Sequence, residues 1–256
     1  MTDVKTAKSP SKPRKKLVPA RGEKDVALMT KFPYRQLVGA LLWIARCTRD
    51  DILYAVNQVG RFTSHFDQSH IDAVIRILGY LKATAELGLT FHHTNLLEVH
   101  AFADADYAGE PVAGDKPMHS TTGTVVTIKD CGTVYTQSIL QSTVAQSTSA
   151  AEYVALGNTI QKALGIKVLL EELELLSKDQ PIIAYEDNEV TIQKAKSPVV
   201  DFKLRHLNVC CHAIKQQIEN NQVVLQYVES EKNIADLFTK AVQINTFLKL
   251  RTALLR

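Results

Sequence analysis

The chain has 256 residues, 45% hydrophobic and 22% charged, an ordinary globular composition with length for one large domain or two modest ones. A formal charge of +3 neither announces nor excludes a nucleic-acid partner, so the distribution of charge matters more than its sum. No run of ~18 apolar residues occurs and the first residues hold no apolar signal core, so no membrane span is expected and the protein is expected inside the cell, cytoplasmic or nuclear.

The basic excess sits at the start. Lys5, Lys8, Lys12, Arg14, Lys15, Lys16, Arg21 and Lys24 lie among prolines with almost nothing apolar to bury, which reads as a disordered arm over 1–26. From 27 to 95 the apolar residues recur at helical spacing: Leu37, Leu41 and Ile44, then Ile52, Val56 and Val59, then Val74, Ile77, Leu78 and Leu81. Asp50 and Asp51 fit a helix N-terminus and need no catalytic role. At Leu96 the period changes. Extended segments are expected over 97–106, 123–128 and 133–139, the last two joined by a turn, and the helices of 34–95 are expected to separate from the domain beginning at 96.

A helix opening at Ser149 and running into 163–176 comes next, with Gly165 placed to divide it. After it come a strand over 182–185, a helix over 188–196, a helix over 206–219, a strand over 223–228 and a helix from Ile234, with a helical tail over 243–256. That order implies a mixed sheet, three antiparallel strands extended by parallel ones through helical crossovers. Cys47, Cys131, Cys210 and Cys211 have neither zinc-site nor disulfide spacing and are expected as reduced thiols.

Cleaving a phosphodiester with water needs an activated nucleophile and relief of charge on the attacking and leaving oxygens, which two divalent ions roughly 3.5–4 Å apart supply. Hard cations of that kind take oxygen ligands, so a cluster of Asp and Glu is the signature to seek. Four acids fit: Asp104 near the end of the first strand, Glu152 early in the following helix, Asp187 closing the fourth strand, and Asp236 in the last helix. Asp106 shares the strand face of Asp104 and rivals it. Glu186 is expected to point away from Asp187, since strand side chains alternate.

These residues stand in Asp104-Ala105-Asp106-Tyr107-Ala108-Gly109, Ser120-Thr121-Thr122-Gly123, Ala151-Glu152-Tyr153, Asp187-Asn188, Arg205-His206 and Ala235-Asp236-Leu237-Phe238-Thr239-Lys240. Upstream lie Tyr34-Arg35-Gln36-Leu37-Val38-Gly39 and Thr48-Arg49-Asp50-Asp51-Ile52. In this order and spacing they resemble the C-terminal part of a copia-type retrotransposon Pol polyprotein, the end of its reverse transcriptase followed by ribonuclease H, over 33–242.

The resemblance implies an α/β fold: a ribonuclease H-like five-stranded mixed sheet over 96–242 with helices on both faces, preceded by a module like the thumb or connection of a reverse transcriptase. It implies a metal set of Asp104, Glu152, Asp187 and Asp236, two Mg²⁺ ions with Mn²⁺ as a substitute, and hydrolysis of the RNA strand of RNA–DNA hybrids. Ser120, Thr121, Asn188, Lys203, Arg205 and His206 are the candidate nucleic-acid contacts, with other parts of the polyprotein as further partners. Ser120 and Thr121 could equally make a turn, His206 a buried contact, and the basic residues a solvated face. Relatives commonly carry Trp at 107, Pro at 50, a large aromatic at 165 and Asp at 208, where this chain has Tyr107, Asp50, Gly165 and Asn208, which puts packing in question. Polymerase activity is not expected, because the sole adjacent aspartate pair opens a helix. An inactive nucleic-acid-binding remnant and a structural or dimerising subunit are the alternatives.

Overall fold

The computed structural model describes residues 4–13, 17–20, 31–94, 96–110, 119–197 and 208–255. The helical pattern of the first third forms α1 (Tyr34–Cys47), a short turn (Asp50–Ile52), α2 (Leu53–Gly60) and α3 (Gln68–Ala83). α3 begins where Asp67 caps it. The Asp67 carboxylate accepts from the Ser69 amide at 2.9 Å and the Asp67 amide donates to His70 Nδ1 at 3.2 Å, so both ends of the first turn are satisfied.

Asp50 and Asp51 stand at the helical turn as expected, but both are buried and reach tertiary partners. Asp51 receives the Arg49 guanidinium at 3.0 and 2.9 Å and the Tyr80 hydroxyl, while Arg49 also donates to the Thr84 carbonyl at 2.8 Å. Burial pushes the Asp50 carboxyl up to about 6, against a hydrogen bond with Thr136 that lowers it.

Next come β1 (Val99–Glu110), β2 (His119–Ile128), β3 (Gly132–Leu140), α4 (Thr148–Glu172), β4 (Ile182–Glu186), α5 (Glu189–Lys196), α6 (Asn208–Glu219) and β5 (Val223–Tyr227). Short helical turns, Ser230–Lys232 and Ile234–Phe238, lead to α7 (Ile244–Leu254). The sheet order is β3-β2-β1-β4-β5, with β1–β2 and β2–β3 antiparallel and β1–β4 and β4–β5 parallel. The expected mixed five-stranded sheet is therefore present. Gly165 does not divide α4, and a Cβ there would meet nothing within 4 Å. An aromatic at that exposed position would leave no cavity when lost, so the packing concern attached to Gly165 falls away; Tyr107 is likewise exposed.

Two cores flank the sheet. On one face Ala101, Ala103 and Ala105 of β1 pack with Ala150, Ala151, Ala155 and Ala163 of α4, all buried. Small residues on both sides let helix and strand approach closely. On the other face Val125 joins Tyr34, Leu41, Ile77 and Tyr80 of the helical module, Phe238, and Phe247, Leu250 and Leu254 of α7 in one cluster.

The boundary expected near Leu96 thus marks a change of period, not a change of core. Polar ties cross it too: Asn57 Nδ2 donates to the Ser138 carbonyl at 2.7 Å, and Arg251 Nη1 to the Tyr80 hydroxyl at 3.2 Å. Residues expected as a C-terminal tail form α7, a core helix whose Leu254 carbonyl accepts from Thr133 Oγ1 at 2.8 Å.

The basic arm also departs from expectation. Its described residues lie against α3: the Ala7 amide donates to the Gly79 carbonyl at 3.2 Å, Lys82 Nζ to the Val4 carbonyl at 3.1 Å, and Arg76 Nη2 to Ser9 Oγ at 3.0 Å. Gly79 makes the approach possible, since a Cβ there would stand 2.2 Å from the Lys5 carbonyl oxygen. One backbone hydrogen bond, two hydrogen bonds from side chains of α3 and the packing of Ala7 and Leu17 against the core hold this segment, none of which composition reveals. Cys47, Cys131 and Cys211 are free thiols, and among the described residues no helix is long and apolar enough to cross a membrane.

Candidate metal centre

Asp104 lies on β1 at the middle of the sheet, opposite Gly123 of β2, and is 2% exposed. Glu152 sits in the second turn of α4. The start of that helix is fixed twice: Ser147 Oγ accepts from the Ala150 amide at 3.2 Å, and Gln141 Nε2 donates to the Ala151 carbonyl at 2.9 Å. Asp187 comes just after the end of β4 and accepts from the Ser230 hydroxyl at 2.5 Å. One carboxylate oxygen from each of Asp104, Glu152 and Asp187 lies within 4.8 Å of the others.

Asp236 reaches the same place on the Ile234–Phe238 turn, not on the helix expected there. Asn233 clamps that turn to the sheet: its Nδ2 donates to the Ala103 carbonyl at 2.8 Å and its Oδ1 accepts from the Ala235 amide at 3.2 Å. Gly123 lets the turn settle, because a Cβ there would stand 2.6 Å from the Ala235 carbonyl oxygen and 2.7 Å from Thr239 Cγ2. The Thr239 hydroxyl donates to Asp104 Oδ2. Asp236 stands outside the group of three and is joined to it by a cation: Lys240 Nζ is 2.9 Å from Asp236 Oδ1 and 3.6 Å from Asp104 Oδ2.

Burial and mutual repulsion dominate the electrostatics. Glu152 is held far above the usual carboxylate range by burial first, then by Asp104, Glu186 and Asp187, with Lys240 opposing. Asp236 is raised by burial and Asp104 against the pull of Lys240; Asp187 is raised by burial against the Ser230 hydrogen bond. Glu186 is a fifth acid in this field, fully buried at the end of β4 and raised by burial and by Asp187. Strand alternation predicts that it turns away. The two differ in burial, but Asp187 lies past the strand end, and the charges are close enough to repel. Oε2 of Glu152 and of Glu186 are buried with no hydrogen-bond partner.

The remaining candidates fall out differently. Ser120 and Thr121 belong to β2 rather than a turn and are buried, 1% and 0% exposed, so their hydroxyls offer nothing to a phosphate in this conformation. Ser120 Oγ instead accepts from the Ala108 amide at 3.1 Å, supporting the β1 irregularity where Ala108 takes φ 47°. Asn188, half-buried, caps α5 through the Thr191 amide at 3.1 Å. Lys203, Arg205 and His206 lie outside the described residues. Asp106 packs over Gly109, where a Cβ would stand 1.7 Å from its Oδ2, which favours Asp104 as the acid of β1.

The sequence pattern alone does not single out Asn233, Gly123, Thr239 or Lys240. An Asn two residues before an Ala-Asp turn and a lone Gly in a strand opposite an acid are the signals that could have found the first two.

No family model matches the chain. It is 33% identical over 233 residues to the Retrovirus-related Pol polyprotein from transposon TNT 1-94 of Nicotiana tabacum, covering 91% of this chain and 17% of that protein. The corresponding polyprotein from transposon RE1 of Arabidopsis thaliana is 31% identical over 247 residues, covering 96% of this chain and 16% of that protein. Over this stretch the chain is homologous to copia-type retrotransposon Pol polyproteins. It spans about one sixth of the length of those relatives. Among solved structures, the LC11-RNase H1 isolated from compost overlaps 56% of this chain and 94% of its own, with TM-score 0.43 and 18% identity.

Proposed function

We propose that this chain is a divalent-metal-dependent ribonuclease H, hydrolysing the RNA strand of RNA–DNA hybrids. The observation that carries the reading is the meeting of Asp104, Glu152 and Asp187 oxygens within 4.8 Å, with Asp236 alongside. The donor set fits a hard cation: every group is a carboxylate, and Glu152 Oε2 is buried without a partner. Buried like charges at this spacing cannot all ionise unless a cation compensates them.

Asp104, Glu152, Asp187 and Asp236 are the residues that would hold Mg²⁺, as two ions, with Mn²⁺ able to replace it. When bound, such ions lower the pKa of water and neutralise charge building on phosphate oxygens. The chain's own contribution is position. Asp104 is fixed by Thr239 from beside it and by the sheet beneath; Asp236 is fixed by Asn233; Asp187 is oriented by Ser230; Glu152 is carried by a helix anchored at its start. Side chains held by such contacts lose little entropy when a ligand binds.

The test is incubation of the purified chain with a labelled hybrid, with and without Mg²⁺, beside duplex DNA and duplex RNA. Mg²⁺-dependent cutting confined to the RNA of the hybrid is the expected result. No cutting of the hybrid by folded protein, or equal cutting of duplex RNA, contradicts the reading.

A further inference from the structure

Lys240 is four residues past Asp236, and its ammonium stands between two acids that have no other cation within ion-pair distance among the described residues, 2.9 Å from Asp236 Oδ1 and 3.6 Å from Asp104 Oδ2. The three partners differ in freedom. The side chains of Asp104 and Asp236 are 3% and 8% exposed and tied to strand and turn, whereas that of Lys240 is 42% exposed on a flexible stem with a path to solvent. The acids cannot leave; the ammonium can.

We propose that Lys240 is a built-in placeholder for the divalent cation, holding Asp104 and Asp236 together in the metal-free chain and withdrawing when the ion binds. The inference rests on the metal reading above. Without a positive charge, two buried carboxylates would repel and force the Ile234–Phe238 turn away from β1. With Lys240 in place the turn is seated before any metal arrives, and the ion binds a formed site rather than ordering a loose one. The cost is competition, because a cation must displace the ammonium from the oxygens it uses.

The test uses the full chain and Mn²⁺ alone as probe, titrated by calorimetry into wild type, Lys240→Met and Lys240→Gln. Removing the competitor should tighten Mn²⁺ binding on the order of tenfold, a change of ~1.4 kcal/mol. The metal-free variants should melt at lower temperature than metal-free wild type, and the rise in Tm on adding Mn²⁺ should be larger in them. A measurement on wild type needs no variant to fold: acetylation of Lys240 by an N-hydroxysuccinimide ester, read by mass spectrometry, should increase when Mn²⁺ is added. Equal or weaker Mn²⁺ binding by the variants overturns the proposal, as does unchanged Lys240 reactivity in Mn²⁺-saturated wild type. Absence of Mn²⁺ binding by wild type itself overturns the metal reading, and this is seen before any variant is considered.

Discussion

A buried acid outside the metal centre gives the clearest single-residue test. Asp50 is buried, and burial lifts its carboxyl from the usual range to about 6. A group whose folded pKa is raised is protonated in both states at low pH; as pH rises from about 4 through 6 the unfolded chain ionises first, so stability is lost across that window. Asp50→Asn should remove this loss, raising stability at pH 7 by about 3 kcal/mol with little change at pH 4, measured by urea unfolding at both pH values. Equal effects at both would contradict it. Residues of this kind are poorly legible in a sequence: Asp50 reads as a helix-start charge, which its position supports, but its contact with Thr136 of β3 is long-range. Asp104 is legible because acids are scarce in apolar strands, and Glu152 and Asp187 because of the order and spacing of the short motifs around them. Lys240 is not, because a lysine near a helical turn is normally a solvated charge.

At the scale of elements, periodicity and turn signals locate the five strands and the helices between them, while their ends and joints depend on contacts. Gly165 looks like a break, but propensity costs only ~1 kcal/mol and the packing of α4 on β1 outweighs it. Ser120 and Thr121 look like a turn because they precede a glycine, yet β2 runs through them. Gly79 carries the element-level test. In an isolated helix Gly79→Ala would be favourable by up to ~1 kcal/mol, but here the new methyl would collide with the Lys5 carbonyl. The expected outcome is an unchanged or slightly raised Tm together with faster tryptic cleavage at Lys5 and Lys8, showing the arm lifted from α3. Cleavage at the wild-type rate would mean that the arm is not held there.

Over the whole molecule, the sheet is covered on one face by α4 and on the other by the helical module together with α7. A chain beginning at Leu96 would uncover Val125, Phe238 and Phe247, and should show no cooperative melt by near-ultraviolet circular dichroism although the full chain does. A cooperative melt of that shortened chain would mean that the two parts fold independently. Hydrophobic period cannot reveal the shared core, because it reports which face of each element is apolar and not what covers it. The same packing seats the Ile234–Phe238 turn on β1 and so places Asp236 beside Asp104.

The central claim, that these acids form a metal centre for hybrid hydrolysis, is tested most directly by Asp187→Asn, which keeps the side chain's size while removing charge. Cutting rate and binding of a labelled RNA–DNA hybrid would be measured in Mg²⁺ for wild type and variant, with circular dichroism to establish that both are folded. Mg²⁺-dependent cutting by wild type, a loss of at least about a hundredfold in the variant and undiminished hybrid binding are the expected result, since losing one carboxylate removes a ligand and lessens repulsion of phosphate. Undiminished Mg²⁺-dependent cutting by folded Asp187→Asn protein would contradict it.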